Sequence, residues 1–188
     1  IEAGTYLLMG AMLGKDLVVC GVNPDHITAV LNKIKDMGIK YSILDDKIKI
    51  SKCPVIKPIN ITTLVYPGFP TDLGQPMAVL LTQANGDSRM EETIWENRVG
   101  HYPYLQKMGA NIELNGLIAN IHGPAKLKGT DINATDLRGG AALIVAGLIA
   151  EGTTTIRDID YILRGYENII NKLSQVGAKI RIEEYNVE

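Results

Sequence analysis

The sequence predicts an α/β domain with pseudo-threefold internal symmetry, in which buried helices lie inside sheets. Three observations carry that expectation. Segments 6–13, 77–81 and 139–150 are almost free of polar side chains. Each is followed by a glycine beside a polar residue (Gly14-Lys15, Asn85-Gly86, Glu151-Gly152), the usual end of a helix. The phrases Lys35-Asp36-Met37-Gly38, Gln106-Lys107-Met108-Gly109 and Ser174-Gln175-Val176-Gly177 recur with a period of about 70 residues.

The elements then follow in order. Each unit opens with an apolar helix, near 4–14, 73–85 and 138–150, and continues into a short β-like run at 17–20, 90–94 and 153–156. An amphipathic helix follows and ends in the recurring phrase. Alternating strands come next at 41–44, 110–114 and 178–182. Asp45-Asp46 and Asn115-Gly116 read as hairpin turns leading into 47–50 and 117–121. The units fall at about 1–58, 59–129 and 130–188, the third stopping early. In the first unit's second helix Ala29, Val30, Ile34 and Met37 oppose Asn32, Lys33, Lys35 and Asp36, so that helix has a wet face. The first helix of each unit has none and must be covered on every side. Three such copies predict three buried helices packed together, with sheets and amphipathic helices outside, all in one domain.

Composition narrows the function. The 188 residues are 46% apolar and 21% charged, enough for a large core without disulfides or a structural metal. Nineteen Lys and Arg against twenty-one Asp and Glu give a charge of −2, which argues against a nucleic-acid binder. The longest apolar run, 141–150, is about half of a bilayer span, so no membrane role is expected. Cys20 and Cys53 show no metal-ligand spacing, and no signal peptide is seen, so a cytoplasmic protein is expected. The start at Ile1, inside an apolar pattern, reads as a piece of something longer. Dinucleotide-binding, P-loop, serine-hydrolase and zincin motifs are absent.

The repeat places an acidic residue before each apolar helix: Glu2, Asp72 and Asp136. Two readings stand side by side. Such residues accept the orphan N–H groups of helix N-termini and oppose the dipole. Alternatively, helices packed side by side gather their N-termini into an anion site, where a carboxylate orients a hydroxyl or takes its proton. Arg138, two residues after Asp136, and Arg164, at the start of the third amphipathic helix, suit a carboxylate or phosphate there, although a lone surface arginine is usually only solvated. His26, His101 and His122 share no spacing with one another or with a nucleophile, and His26, near the start of an amphipathic helix, reads as solvated or satisfied. Cys20 reads as an inert core thiol, Tyr102 and Tyr104 as core cover, and Trp95 as packing or as a stacking surface.

Four phrases occur in one order: Phe69-Pro70-Thr71-Asp72, Glu92-Thr93-Ile94-Trp95-Glu96-Asn97-Arg98, Ala134-Thr135-Asp136-Leu137-Arg138 and Arg164-Gly165-Tyr166-Glu167. With Glu2-Ala3-Gly4-Thr5 and Ala150-Glu151-Gly152-Thr153-Thr154, they resemble the UDP-N-acetylglucosamine 1-carboxyvinyltransferase family over essentially the whole chain. The resemblance implies the enolpyruvyl transferase fold: two similar domains, each of three βαβαββ units around buried helices, an inside-out α/β barrel. It implies that this chain is the C-terminal half, with the N-terminal half absent. The family's catalytic lysine and its mobile-loop cysteine, in a Pro-Gly-Gly-Cys-like phrase, have no counterpart here, so the isolated chain is expected to be inactive.

The implied reaction moves the enolpyruvyl group of phosphoenolpyruvate to the sugar 3-hydroxyl of UDP-N-acetylglucosamine. It releases phosphate through a tetrahedral phospholactoyl intermediate, without metal or organic cofactor, in cell-wall peptidoglycan synthesis. By the resemblance Asp72 binds the sugar near its 3-hydroxyl and accepts the proton. Ile94 lines the sugar-nucleotide site through its backbone, Trp95 lies by the uracil region, and Arg98 supports the loop. Arg138 and Arg164 match phosphoenolpyruvate-binding arginines, with Asp136 in the same site. The implied partners are these two small substrates and the missing half of the chain. Two rivals remain. One is a 5-enolpyruvylshikimate-3-phosphate synthase-like enzyme, whose paired Gly-Asp-x-Ser phrases are not seen. The other is a non-catalytic ligand-binding or regulatory domain, against which the joint presence of Asp72, Arg138 and Arg164 argues.

Overall fold

Segments with no polar face have to be enclosed, and the chain encloses them. A computed structural model describes residues 1–184. In chain order the elements are α1 (Glu2–Leu13), β1 (Leu17–Cys20), α2 (Thr28–Asp36), β2 (Tyr41–Leu44), β3 (Lys47–Ile50), β4 (Asn60–Thr62), α3 (Gly74–Leu81), β5 (Asp87–Glu91), α4 (Tyr102–Lys107), β6 (Asn111–Asn115), β7 (Ile118–His122), β8 (Asp131–Asn133), α5 (Leu137–Ile149), β9 (Thr155–Arg157), α6 (Asp160–Leu163) and α7 (Ile169–Gln175). Short 3-10 turns, Pro24–Ile27 and Thr71–Leu73, lead into α2 and α3.

The three apolar helices are α1, α3 and α5, and they pack on one another, with α3 against both of the others. Every residue of α3 is buried, as are Leu7, Leu8 and Ala11 of α1 and Leu143, Ile144 and Val145 of α5. The approach between the start of α1 and the turn before α3 is close: a Cβ on Gly4 would collide with the Leu73 side chain. The amphipathic helices cover the outside, α2 burying Val30, Leu31 and Ile34 and leaving Asn32, Lys35 and Asp36 wet or half-wet.

Three sheets complete the cover. In the first, β3 lies between β1 and β2, both antiparallel to it, with Ile48 and Ile50 inward and Lys47 and Lys49 outward. The second has the order β4-β5-β7-β6, with β4 parallel to β5 and the rest antiparallel. The third is a parallel pair, β8 and β9. Both expected hairpins form: Leu44 pairs with Lys47 across Asp45-Asp46, and Asn115 pairs with Ile118 across Gly116-Leu117. Gly116 has φ +60°, which a glycine adopts without strain. The sheets stay separate, and no closed barrel of strands forms among the described residues.

Several elements differ from expectation. The run expected at 90–94 is a strand only from Asp87 to Glu91, because the chain turns out of the sheet at Glu92. The run at 153–156 pairs as Thr155–Arg157. Residues 178–182 form no strand, because no described strand lies beside them to complete a ladder. The third amphipathic helix is two short ones, α6 and α7, interrupted where Asn168 takes a left-handed conformation (φ 51°). Strands β4 and β8, unforeseen, precede α3 and α5 and give those stretches a leading strand. Cys20 is exposed instead of buried, because its side chain points to the outer face of β1.

The enclosure makes a direct prediction. Leu80→Ala, in a fully buried position of α3, should destabilise the chain by about 2–5 kcal/mol. Leu44→Ala, on a residue 71% exposed, should change stability by less than about 0.5 kcal/mol. Urea unfolding of both variants checks the contrast, and equal losses would contradict it.

Candidate functional site

The three acidic residues have three different fates. Asp136 is a helix cap: its Oδ1 accepts from the backbone N–H of Arg138 (2.9 Å) and Gly139 (3.0 Å) at the start of α5. Two of the N–H groups that could have met an anion are thereby taken. Glu2, in the first turn of α1, caps nothing and instead accepts from Lys172 Nζ (2.8 Å) and the Tyr6 hydroxyl (3.1 Å). Asp72 caps nothing either. It sits in the 3-10 turn before α3, and its Oδ1 receives both Arg98 Nη1 (2.7 Å) and Arg138 Nε (2.6 Å). Its Oδ2 has no hydrogen-bond partner among the described residues and remains available. Burial alone would raise the Asp72 carboxyl, but the hydrogen bonds and charges of Arg138 and then Arg98 outweigh it and hold the group below its usual value.

A second carboxylate organises the surroundings. Glu92 is buried, and four donors converge on it. Its Oε1 accepts from Ile94 N (2.7 Å), Thr63 Oγ1 (2.9 Å) and Trp95 N (3.0 Å), and its Oε2 from Thr71 Oγ1 (2.7 Å). Thr71 Oγ1 in turn accepts from Arg98 Nη1 (2.8 Å). Thr93 closes the same corner, its N–H donating to Thr63 Oγ1 and its hydroxyl to the Thr63 carbonyl. Burial pushes the Glu92 carboxyl up, but Thr71, the Ile94 and Trp95 amides and Thr63 together hold it below the ordinary range. Trp95 is 57% exposed, with the Arg98 guanidinium 5.7 Å from its ring centroid.

The third-unit residues approach the same place. Tyr166 is fully buried, and its hydroxyl lies 2.9 Å from Thr5 Oγ1 of α1. Burial raises its pKa, opposed by the Thr5 hydrogen bond and the Arg138 charge; Glu2 and Asp72 add smaller upward effects. Charges at the starts of all three apolar helices, Glu2, Asp72 and Arg138, thus act on this one hydroxyl. Gly165 packs so tightly on Leu137 that a Cβ there would collide with it. Arg164, one residue earlier, is exposed and makes no hydrogen bond or ion pair among the described residues.

Of the sequence candidates, Asp72, Ile94, Trp95, Arg98 and Arg138 are drawn into one bonded cluster, and Asp136 is its neighbour through Arg138. Arg164 is held nearby by its chain neighbours but bonds to none of them. Sequence reasoning missed Glu92, Thr71, Thr63 and Tyr166, although all but Thr63 stand inside the phrases already singled out. Nor did it single out His101, which is 1% exposed with neither ring nitrogen partnered among the described residues, its ring tilted against that of Tyr102. Burial pushes its pKa down to about 3, against a smaller upward pull from Asp136, so the ring is neutral. His26 and His122 lie outside the cluster, on Asn23 and Asp87 respectively. No three His, Cys, Asp or Glu side chains gather as a metal site among the described residues.

Comparison with known proteins supplies a context for this geometry. A family model described as EPSP synthase (3-phosphoshikimate 1-carboxyvinyltransferase) matches residues 1–173. A UDP-N-acetylglucosamine 1-carboxyvinyltransferase of Sulfurimonas denitrificans is 48% identical over 98% of this chain and 44% of its own length. One from Geobacillus kaustophilus is 44% identical over the whole chain and 44% of its own length. Among solved structures, the enolpyruvyl transferase NikO from Streptomyces tendae superposes with a TM-score of 0.87 at 28% identity, covering 96% of this chain and 43% of that one. An EPSP synthase from Acinetobacter baumannii, at 19% identity, shares the fold (TM-score 0.78, 97% of this chain and 46% of that one). The chain thus spans less than half the length of the relatives it matches.

The depressed Asp72 value has a measurable consequence. A carboxylate whose folded pKa lies below its unfolded value stabilises the fold above that unfolded value, and the contribution is lost as pH falls through the folded one. Wild type should be more stable than Asp72→Asn at pH 7, and the gap should narrow as the pH falls below about 4. Urea midpoints across that range test it; a gap that widens towards acid would contradict the assignment.

Proposed function

The chain belongs to the EPSP synthase family, and on that premise we propose that it supplies one half, the C-terminal one, of a UDP-N-acetylglucosamine 1-carboxyvinyltransferase working in the cytoplasm on peptidoglycan precursors. The observation that carries the reading is the Asp72 junction. One carboxylate oxygen is fixed by two arginines at the mouth of a buried helix, and the other meets no donor among the described residues. The 44–48% identity to enzymes of that name, against 19% to the Acinetobacter EPSP synthase, favours the sugar nucleotide over a shikimate as acceptor.

In this reading Asp72 Oδ2 accepts a hydrogen bond from the sugar 3-hydroxyl. The hydroxyl oxygen bonds to C2 of phosphoenolpyruvate while C3 takes a proton. Loss of a proton from C3 then restores the C2=C3 double bond as the C2–O bond to phosphate breaks, leaving the enol ether. With both arginines on Oδ1, Asp72 is a good orienting acceptor and a weak base. Arg138 uses only Nε on Asp72, so its terminal nitrogens are available to an anion. If the anion draws Arg138 away, the carboxylate loses a cation and its proton affinity rises, which suits it to take the hydroxyl proton. Arg164, exposed beside the start of α5 with no side-chain partner among the described residues, is the second cation for the carboxylate and phosphate of phosphoenolpyruvate. Asp136 serves by fixing the backbone from which Arg138 projects. Ile94 and Trp95 offer backbone and ring to the nucleotide sugar.

The groups that protonate C3 and close over the substrates are assigned to the rest of the enzyme, as is the segment that would cover the edge of β9, where no second strand pairs among the described residues. Phosphate release by the isolated chain should therefore be absent.

In the full-length enzyme, Arg138→Ala and Arg164→Ala should each weaken phosphoenolpyruvate use by about tenfold or more, since hydrogen bonds to charged groups are worth ~1.5–3 kcal/mol. UDP-N-acetylglucosamine affinity should change much less. Arg181→Ala, which removes only a surface pair with Glu183, is the control. Steady-state kinetics with both substrates test this. Losses no larger than that of the control would return both arginines to ordinary surface charge.

A further inference from the structure

We infer that Glu92 is a positioning residue: its carboxylate sets, through separate limbs, the backbone at Ile94 and Trp95 and the turn that carries Asp72. The inference deepens the proposed function, but its first test does not depend on it.

The geometry leaves Glu92 little other role. It sits where the chain leaves β5, and four donors from three stretches of chain, Thr63, Thr71 and the amides of Ile94 and Trp95, meet on its two oxygens. Only an ionised carboxylate accepts from all of them, since a protonated acid or an amide would place its own hydrogens against donors. One limb runs to the Ile94 and Trp95 amides and bends the loop out of the sheet. The other passes through Thr71, whose single hydroxyl hydrogen is committed to Glu92 Oε2, so its oxygen must accept, and it accepts from Arg98 Nη1. That same Nη1 reaches Asp72 Oδ1. Arg98 is thus held between a hydroxyl oriented by Glu92 and the carboxylate it fixes. A buried charge made this way is tolerated because all its partners are donors, and it is intolerant of losing them.

Two variants separate the limbs. Glu92→Gln keeps the shape but removes the charge from both limbs, and its single carbonyl oxygen cannot serve the two of them at once. Thr71→Val removes only the limb to Arg98. In this chain, amide hydrogen exchange at Ile94 and Trp95 should accelerate about tenfold or more in Glu92→Gln, because a charge-assisted bond is lost, and should stay at the wild-type rate in Thr71→Val. The amides of α3 should keep their protection in both, and Glu113→Gln, on the exposed face of β6, should change neither. Unchanged exchange at Ile94 and Trp95 in Glu92→Gln, or equal acceleration in Thr71→Val, would overturn the inference. In the full-length enzyme, Glu92→Gln should raise KM for UDP-N-acetylglucosamine about tenfold while leaving KM for phosphoenolpyruvate within about twofold. If the exchange result holds and both KM values move together, positioning of the loop stands and the assignment of that loop to the sugar nucleotide fails. If Glu92→Gln does not fold, Thr71→Val alone decides: accelerated Ile94 exchange in it would refute separate limbs, and wild-type exchange would support them.

Discussion

The rest of the structure depends on hiding three helices that have no polar side. Residues such as Leu8, Leu80 and Leu143 are fully buried because their helices pack on one another and under the sheets, α3 along its whole length and α1 and α5 over most of theirs. Polar chemistry is excluded from the flanks and can emerge only at helix ends. The helix starts are where it does emerge: Glu2, Asp72, Asp136 and the Tyr166 ring that touches Thr5 lie around one region.

Within that region the decisive contacts are between side chains, not between side chains and helix dipoles. Only Asp136 behaves as an N-cap. Asp72 and Glu92 are each buried enough that burial would raise their pKa, and each is held ionised by its donors instead, Glu92 on both oxygens and Asp72 on Oδ1 alone. One guanidinium, that of Arg98, and one hydroxyl, that of Thr71, connect them. The result is a carboxylate whose first oxygen is fixed and whose second is presented, which is the form of preorganisation that acceptor binding requires.

Much of this was legible in the sequence because the period is long and the patterns differ sharply. Apolar stretches such as 139–150 cannot be read as surface helices, and the Gly38, Gly109 and Gly177 phrases set the repeat. Short elements were not legible. Strands β4 and β8 have three residues each and depend on parallel partners distant in sequence, Asn60 with Arg89 and Asp131 with Thr155. The end of β5 was misplaced because Glu92-Thr93-Ile94 alternates like a strand, while the Glu92 carboxylate captures the amides that would have continued the ladder. The strand expected at 178–182 satisfies the pattern but has nothing to pair with among the described residues. At the site, Asp72, Arg98 and Arg138 stood in recognisable phrases, but no spacing shows that two arginines forty residues apart share one oxygen. Tertiary proximity of that kind comes from the helix packing, not from the local code.

The central claim is that ligand recognition occurs at the mouths of α3 and α5, around Asp72 and the loop shaped by Glu92. An alternative place exists: a cleft of about 360 Å³ between Asp25, His26, Thr28 and Asn32 on one side and Tyr66 and Gly68 on the other. The most direct measurement is an amide chemical-shift titration of this chain with UDP-N-acetylglucosamine up to about 10 mM, a range that reports even millimolar binding. The account predicts shifts at Thr71, Asp72, Ile94, Trp95 and Arg98, accompanied by a change in the fluorescence of the single tryptophan. Shifts confined to the cleft beside His26 and Tyr66, with Ile94 and Asp72 unmoved, would contradict it.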